Sequence, residues 1–399
     1  MNSIITKGNV KFQLFQKKDN IYARIQNNLK LRKNKSHCHS VERSISKENN
    51  KKYSKSKTKL YRKRVNNSID KLNTSIIKSK SINNKFIAIN THLYDSLIVS
   101  LPFYNLNIND LKYDLNDIIY YSDETTLYKG KYFHNDICIK EIQSINYLSN
   151  EEQDKIKNEI DISLKLQHKN IITTYGYAFN QKKSKVFIVS EYMKNKSLKS
   201  YIESHKGKIP WKQKLSFIYD VSLAIEYMHT RHYKILHRDI KSSNILLDEN
   251  YHCKLCDFGM SKYYNTNQDM AINNEENSNN MNTNYQTNSQ STLFWMSPEY
   301  LCDGLINEKS DIYSLGILIW EIFMEDTNPY KNININDYIL GNKDIVCKKR
   351  PIINDKYFKD CPKIKELMQL MWNNDYNKRP DIEYILNLLE ELNHQYMFL

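Results

Sequence analysis

Alanine is scarce in this 399-residue sequence: there are five, against 49 asparagines. The skew reads as the imprint of AT-rich codon usage, so Asn and Lys in loops are weak signals. Acidic residues are nearly missing from the first 90 positions, which hold 4 Asp/Glu and 23 Lys/Arg, a net charge of +19. The remaining 36 basic and 41 acidic residues give −5, within an overall +14. The basic character therefore belongs to a tail, and it does not mark the body as a nucleic-acid-binding domain. No apolar run reaches the roughly 18 residues of a membrane span. The best, Ile312 to Phe323, is short and ends through Glu321. No apolar stretch of signal-peptide length follows Met1-Asn2-Ser3, and residue 2 is not the glycine of a myristoylation signal. The seven cysteines are odd in number and scattered, which speaks against a disulfide framework. Reduced thiols and an intracellular location are expected, cytoplasmic with nuclear entry left open.

Residues 1–90 are rich in Lys, Asn and Ser, with no sustained period after clusters such as Phe12-Gln13-Leu14-Phe15. Such a segment buries too little to offset its backbone entropy, so a low-complexity, mostly disordered basic tail is expected. A transient helix near Ile21 to Leu31 is the one local feature. Residues 91–115 form a transition, within which Leu93 to Phe103 is apolar enough to pack.

From about 116 the pattern becomes regular. Ile118 to Tyr121, Thr126 to Gly130 and Asp136 to Lys140 read as short strands between turns. Residues 151–166 switch to a helical period, with Ile156, Ile160 and Leu164 in one stripe. Val186 to Val189 reads as a buried strand. After about 198 the chain turns mainly helical, and 211–229 carries Leu215, Ile218, Ser222, Ile225 and His229 on one face. Residues 265–290 interrupt this body with ten Asn in 26 positions and read as an inserted flexible loop.

The polar run His237-Arg238-Asp239-Ile240-Lys241-Ser242-Ser243-Asn244 leads into the apolar Ile245-Leu246-Leu247. The chain turns at Asp248-Glu249-Asn250, returns through Lys254-Leu255-Cys256 and meets Asp257-Phe258-Gly259. In these residues the sequence resembles the eukaryotic protein kinases, whose H-R-D-x-K-x-x-N and D-F-G motifs it matches in full. The resemblance covers roughly 116–395. It implies an α+β, bilobal fold: a small β-rich N-lobe with one helix, about 116–193, and a larger, mainly helical C-lobe, about 194–395.

By that resemblance Asp239 orients the substrate hydroxyl and accepts its proton, and Lys241 neutralises charge on the transferring phosphoryl group. Asn244 and Asp257 offer hard oxygen donors suited to Mg²⁺. Lys140 stands where relatives contact the ATP phosphates, and Glu159, on the helix beside Ile156 and Ile160, is placed to pair with it. Glu191-Tyr192-Met193 resembles the hinge that receives adenine through backbone hydrogen bonds, with Ser190 behind it. Trp295-Met296-Ser297-Pro298-Glu299 resembles the A-P-E segment, which implies a Glu299 to Arg379 pair. Asp311 resembles the buried Asp that holds the catalytic-loop backbone. Lys241-Ser242-Ser243 and Thr292 are closest to serine/threonine enzymes of the tyrosine kinase-like group. The implied activity is transfer of the γ-phosphoryl group of ATP to Ser or Thr hydroxyls of proteins in signalling.

The sequence departs from this family at the Gly-rich phosphate loop. Aligned on Leu127-Tyr128-Lys129-Gly130, the three loop glycines fall at Tyr120, Ser122 and Thr125. Glycine there lets backbone approach phosphate. Asp123 and Glu124 occupy the loop tip; facing a triphosphate they would weaken its binding, and facing solvent they would not. Two readings follow: an active kinase with an unusual nucleotide lid, or a pseudokinase scaffold with weak or no phosphotransfer. The six retained functional residues favour the first. Arg238 before Asp239 suggests control by an activation-segment phosphate, with Thr287, Ser289 or Ser291 as the sites; a passive insertion is the alternative.

Weaker signals remain. Cys253-x-x-Cys256 has no second pair, and on a strand its side chains point to opposite faces. His37-Cys38-His39 has no visible partner. The basic run Lys51 to Arg64 reads as a solvated tail, with an anionic lipid, a nucleic acid or an import receptor as alternative contacts.

Overall fold

The computed structural model describes residues 92–122, 125–143, 145–180, 184–264, 290–331 and 349–397. The basic segment 1–90, Asp123, Glu124, and residues 265–289 with Thr287 and Ser289, lie outside the described residues, and nothing is described of the Ser291 side chain.

Alternating burial at 125–130 and 136–141 and continuously buried runs at 176–178 and 186–189 build the first lobe. Helix α1 (His92–Ser100) precedes strands β1 (Leu111–Tyr121), β2 (Thr125–Tyr132) and β3 (Asn135–Ile142). Helix α2 (Asn150–Lys165) and strands β4 (Thr174–Asn180) and β5 (Lys185–Glu191) complete it. The strands form one antiparallel sheet in the order β1-β2-β3-β5-β4. Both faces are covered. Val186, Ile188 and Tyr177 pack with Ile156, Ile160 and Leu164 of α2, while Phe187, Val189 and Ala178 pack with Ile137 and Ile139 on the opposite side. The helical stripe read from the sequence is thus the face that meets the sheet. A capping box starts α2: Glu152 N–H donates to Ser149 Oγ at 3.2 Å, and Ser149 N–H to Glu152 Oε2 at 2.8 Å. Strand β4 escapes sequence reading because Gly176 and Asn180 break its apolar run.

The chain leaves β5 through residues 191–193 and builds a helical lobe. Its elements are α3 (Leu198–Ser204), α4 (Trp211–His229), β6 (Lys234–Leu236), β7 (Ile245–Leu247), β8 (Cys253–Leu255) and β9 (Lys262–Tyr264). Helices α5 (Pro298–Asp303), α6 (Glu308–Met324), α7 (Pro362–Met371) and α8 (Ile382–Met397) follow. All five residues of the expected α4 face are buried. Helix α6 is buried continuously from Ser310 to Phe323 and forms the axis of this lobe. It lacks the length of a membrane span, and no helix among the described residues is long and apolar enough to cross a membrane. Two short antiparallel pairs, β6 with β9 and β7 with β8, bring the loops 237–244 and 256–261 together beneath the sheet.

Candidate active site

The loop between β6 and β7 is held from below. Asp311, in the first turn of α6, accepts the backbone N–H groups of His237 at 2.9 Å and Arg238 at 2.8 Å, and also contacts His229 Nε2 at 2.9 Å. Arg238 has φ of +69°, a left-handed conformation that costs a non-glycine residue about 1–3 kcal/mol. The Asp311 contact holds it there. His237 is fully buried; its Nδ1 accepts from Asp239 N–H at 3.2 Å, and its Nε2 lies 3.2 Å from the Cys256 carbonyl. These contacts assign the proton to Nε2, and burial lowers the pKa of the ring.

Asp239 is thereby presented to two side chains, Lys241 and Asn244. Lys241 Nζ lies 2.9 Å from its Oδ1, and Asn244 Nδ2 donates to its Oδ2 at 2.8 Å and to its carbonyl at 2.9 Å. Lys241 Nζ also donates to Thr292 Oγ1 at 2.8 Å. The Asn244 amide is oriented by its donations to Asp239, which leaves Oδ1 as its acceptor.

A second group descends from the sheet. Lys140 on β3 is the cross-strand partner of Ile188, whose side chain belongs to the face that packs on α2. Its ammonium lies 2.5 Å from Glu159 Oε1 and 3.5 Å from Asp257 Oδ1. Burial opposes the Lys140 charge, but Glu159 and Asp257 outweigh it and hold its pKa above the ordinary lysine range. Burial pushes the Glu159 carboxyl up in spite of Lys140. Lys140 holds the Asp257 carboxyl below its usual value, against burial. Asp257 itself has φ of +67° and a half-exposed carboxylate, while the adjacent Phe258 is buried against the His237 ring. An ionised carboxylate, an amide oxygen and an ammonium on opposing lobes suit a divalent cation and a polyphosphate.

The profile of the protein tyrosine and serine/threonine kinases matches residues 122–389. The chain belongs to the protein kinase family. Its relatives include the dual specificity protein kinase shkA of Dictyostelium discoideum, 31% identical over 270 residues, 67% of this chain and 47% of that protein. The serine/threonine-protein kinase CTR1 of Arabidopsis thaliana is 30% identical over 274 residues, 67% of this chain and 30% of that protein. A probable receptor-like protein kinase of A. thaliana is 29% identical over 343 residues, 82% of this chain and 49% of that protein. The chain spans about half or less of the length of these relatives. The family uses ATP with a divalent cation.

The structure brings Lys140, Glu159 and Asp257 into contact, and likewise Asp239, Lys241 and Asn244, whereas Glu191 and Met193 have other surroundings. The Glu191 side chain does not join these groups as a ligand. It is buried, accepts Thr173 N–H at 2.8 Å and pairs with Lys254 at 2.8 Å. Any nucleotide contact at residue 191 therefore falls to its backbone. Met193 is buried at the junction of the lobes. Glu299 pairs with Arg379 through two contacts of 2.7 and 2.8 Å, both side chains buried. Arg238 donates to Tyr300 Oη at 3.1 Å.

Two features went unread. Glu321 of α6 is fully buried and accepts from Ser242 N–H at 3.1 Å, from Ser242 Oγ and from Trp295 Nε1 at 3.0 Å. The second is the β1–β2 turn. Ser122 N–H donates to Thr125 O at 2.8 Å, and Thr125 N–H to Ser122 Oγ at 3.1 Å. At two of the three positions where glycine is absent, the backbone N–H is thus engaged within the hairpin.

Proposed function

We propose that the chain is an ATP-dependent protein serine/threonine kinase acting in intracellular signalling. The observation that carries the reading is the Lys140–Glu159 pair at 2.5 Å, joined to Asp257 at 3.5 Å, above an intact Asp239-Lys241-Asn244 cluster. Mg²⁺-bound ATP supplies the γ-phosphoryl group and, through the cation, neutralisation of its charge. Asn244 Oδ1 and the Asp257 carboxylate hold the cation, and Lys140 orients the phosphates. Asp239 receives the proton of the attacking hydroxyl at a carboxylate oxygen. Lys241, between Asp239 and Thr292, is placed to meet charge developing on the phosphoryl oxygens. Adenine is received by the backbone at Glu191 and Met193. Serine/threonine specificity is supported by Lys241, its Thr292 contact and the kinds of relatives the chain has. The basic tail carries the charge to meet anionic lipid, nucleic acid or an import receptor.

A second reading rests on the β1–β2 hairpin. With the N–H groups of Ser122 and Thr125 turned into the hairpin, the grip on phosphate is weaker than a glycine loop gives. That favours a pseudokinase scaffold. The deciding experiment is transfer of labelled phosphate from ATP with Mg²⁺ by the full chain, beside Asp239→Asn, to itself and to a generic protein substrate. Transfer lost in the variant supports the kinase, and phosphoamino-acid analysis then assigns Ser/Thr against Tyr. Transfer no greater than that of the variant supports the scaffold.

A further inference from the structure

Residues 92–121 precede the stretch that matches the family, yet Leu93, Leu97 and Leu101 are buried. They share one core with Ile156 and Ile160, the two residues of α2 that bracket Glu159, and with Tyr177 of β4.

The polar contacts at the two ends of α1 are matched. Leu93 N–H, in the first turn, is a donor that helix geometry leaves without an intrahelical partner. It donates to Gln153 Oε1 of α2 at 2.9 Å. Gln153 is buried, and its Nε2 donates to the carbonyls of Ile145 at 3.3 Å and Leu148 at 3.1 Å, in the connection from β3 to α2. Beyond the other end, the Tyr177 hydroxyl lies 3.0 Å from the carbonyls of both Leu97 and Leu101 and shares its one proton between them.

The chain then runs along the outer edge of the sheet. Leu106 N–H donates to Tyr177 O at 2.7 Å, and Asn105 bridges Tyr177 in parallel. A Cβ at Gly176 would stand 2.4 Å from Tyr104 O and 2.8 Å from Leu106 Cγ. Glycine at 176 is what lets this backbone lie so close. The segment therefore touches α2 at one end and the sheet at the other. Glu159 rides on α2 and Lys140 on the sheet, so the spacing of these two bodies sets their ion pair.

We propose that residues 92–106 are an intramolecular brace that fixes α2 against the sheet, with Gln153 and Tyr177 as positioning residues acting through Glu159 on Lys140. The kinetic part of the test rests on the kinase reading; the hydrogen-exchange part does not.

The test uses the full chain as wild type, Tyr177→Phe, Gln153→Leu and Gly176→Ala. In Tyr177→Phe, amide exchange in α1 and α2 is expected to rise about fivefold or more, with α4 in the other lobe unchanged. The kcat for phosphotransfer is expected to fall about three- to tenfold, with KM for the protein substrate unchanged. In a Glu159→Gln background the same change should have no further effect on the residual kcat, because both act through one contact. Looser α1 with wild-type exchange in α2 overturns the brace, and so does a kcat loss that adds in full to that of Glu159→Gln. If the wild type transfers no phosphate, the kinase reading fails, and exchange in α2 alone decides the brace by the same criterion. Should Gly176→Ala or Gln153→Leu not fold, the milder Tyr177→Phe carries the decision.

Discussion

Asp311 and Glu321 sit about three turns apart on α6, and each takes backbone N–H from the loop that carries Asp239. Asp311 holds the entry at His237 and Arg238, and Glu321 holds the exit at Ser242. One buried helix thereby sets both ends of the loop. Glu321 also takes Trp295 Nε1, which ties the loop to the segment that supplies Thr292 to Lys241.

Asp311→Asn tests the entry contact. An amide has one acceptor oxygen, so the N–H of His237 or of Arg238 would face an NH₂ group. A buried donor left unpaired costs about 1–3 kcal/mol, and the left-handed Arg238 loses its restraint. The expected result is a fall in kcat of about tenfold or more, with a lower unfolding temperature. Kinetics and thermal unfolding on the same preparation check both.

Glu321 makes stability depend on pH. Burial pushes its carboxyl from 4.5 up to about 7, against the pull of its Ser242 and Trp295 donors. Between those values the folded chain holds a proton that the unfolded chain releases. The contribution is therefore full below about pH 4.5 and is lost as pH rises through about 7. At about 1.4 kcal/mol per pKa unit, the wild type should lose on the order of 3 kcal/mol more than Glu321→Gln across that window. Parallel urea-unfolding curves for the two proteins at pH 5 and pH 7.5 would remove Glu321 as the source.

The 237–244 loop, Lys140 and Glu159 were legible through their resemblance to the protein kinase motifs, each set in a local pattern of a polar cluster before an apolar strand or a charge beside an apolar stripe. Glu321 was not. It stands inside Ile312 to Phe323, where a lone acidic residue signals only an interruption, and its donors come from residues 242 and 295. The Glu191–Lys254 pair was hidden for the same reason, its partners being 63 positions apart. Helix α1 was legible only as apolar chain, because what gives it a place, Gln153 and Tyr177, lies far along the sequence.

Lys140→Met removes the one cation between two acidic side chains. Glu159 and the half-exposed Asp257 then lose the ammonium between them, and their carboxyls should both titrate higher, since Lys140 lowers each and is the largest of the influences that lower Asp257. A fall in kcat of about a hundredfold or more is expected. Any residual activity should lose its acidic limb at a higher pH than the wild type, because Asp257 protonates sooner. A pH–rate profile unchanged in shape would show that Lys140 does not set the ionisation of Asp257.

Restoring glycine at 120, 122 and 125 bears on the nucleotide lid. The Ser122 hydroxyl accepts Thr125 N–H, so Ser122→Gly releases that donor, and Thr125→Gly removes the Cβ beside it. Tyr120, exposed on β1 and paired with Leu127, guards the strand end of the turn. Glycine at all three positions lets the backbone N–H groups turn toward phosphate oxygens. The triple variant should bind ATP about three- to tenfold more tightly, worth roughly 1 kcal/mol, with little change in kcat because Asp239, Lys241 and Asn244 are untouched. Equilibrium binding of ATP with Mg²⁺ measures the first effect and steady-state transfer the second. If binding does not tighten, the Ser122 hydroxyl bond to Thr125 N–H is not what limits the grip, and the side chains flanking the turn become the next ones to remove.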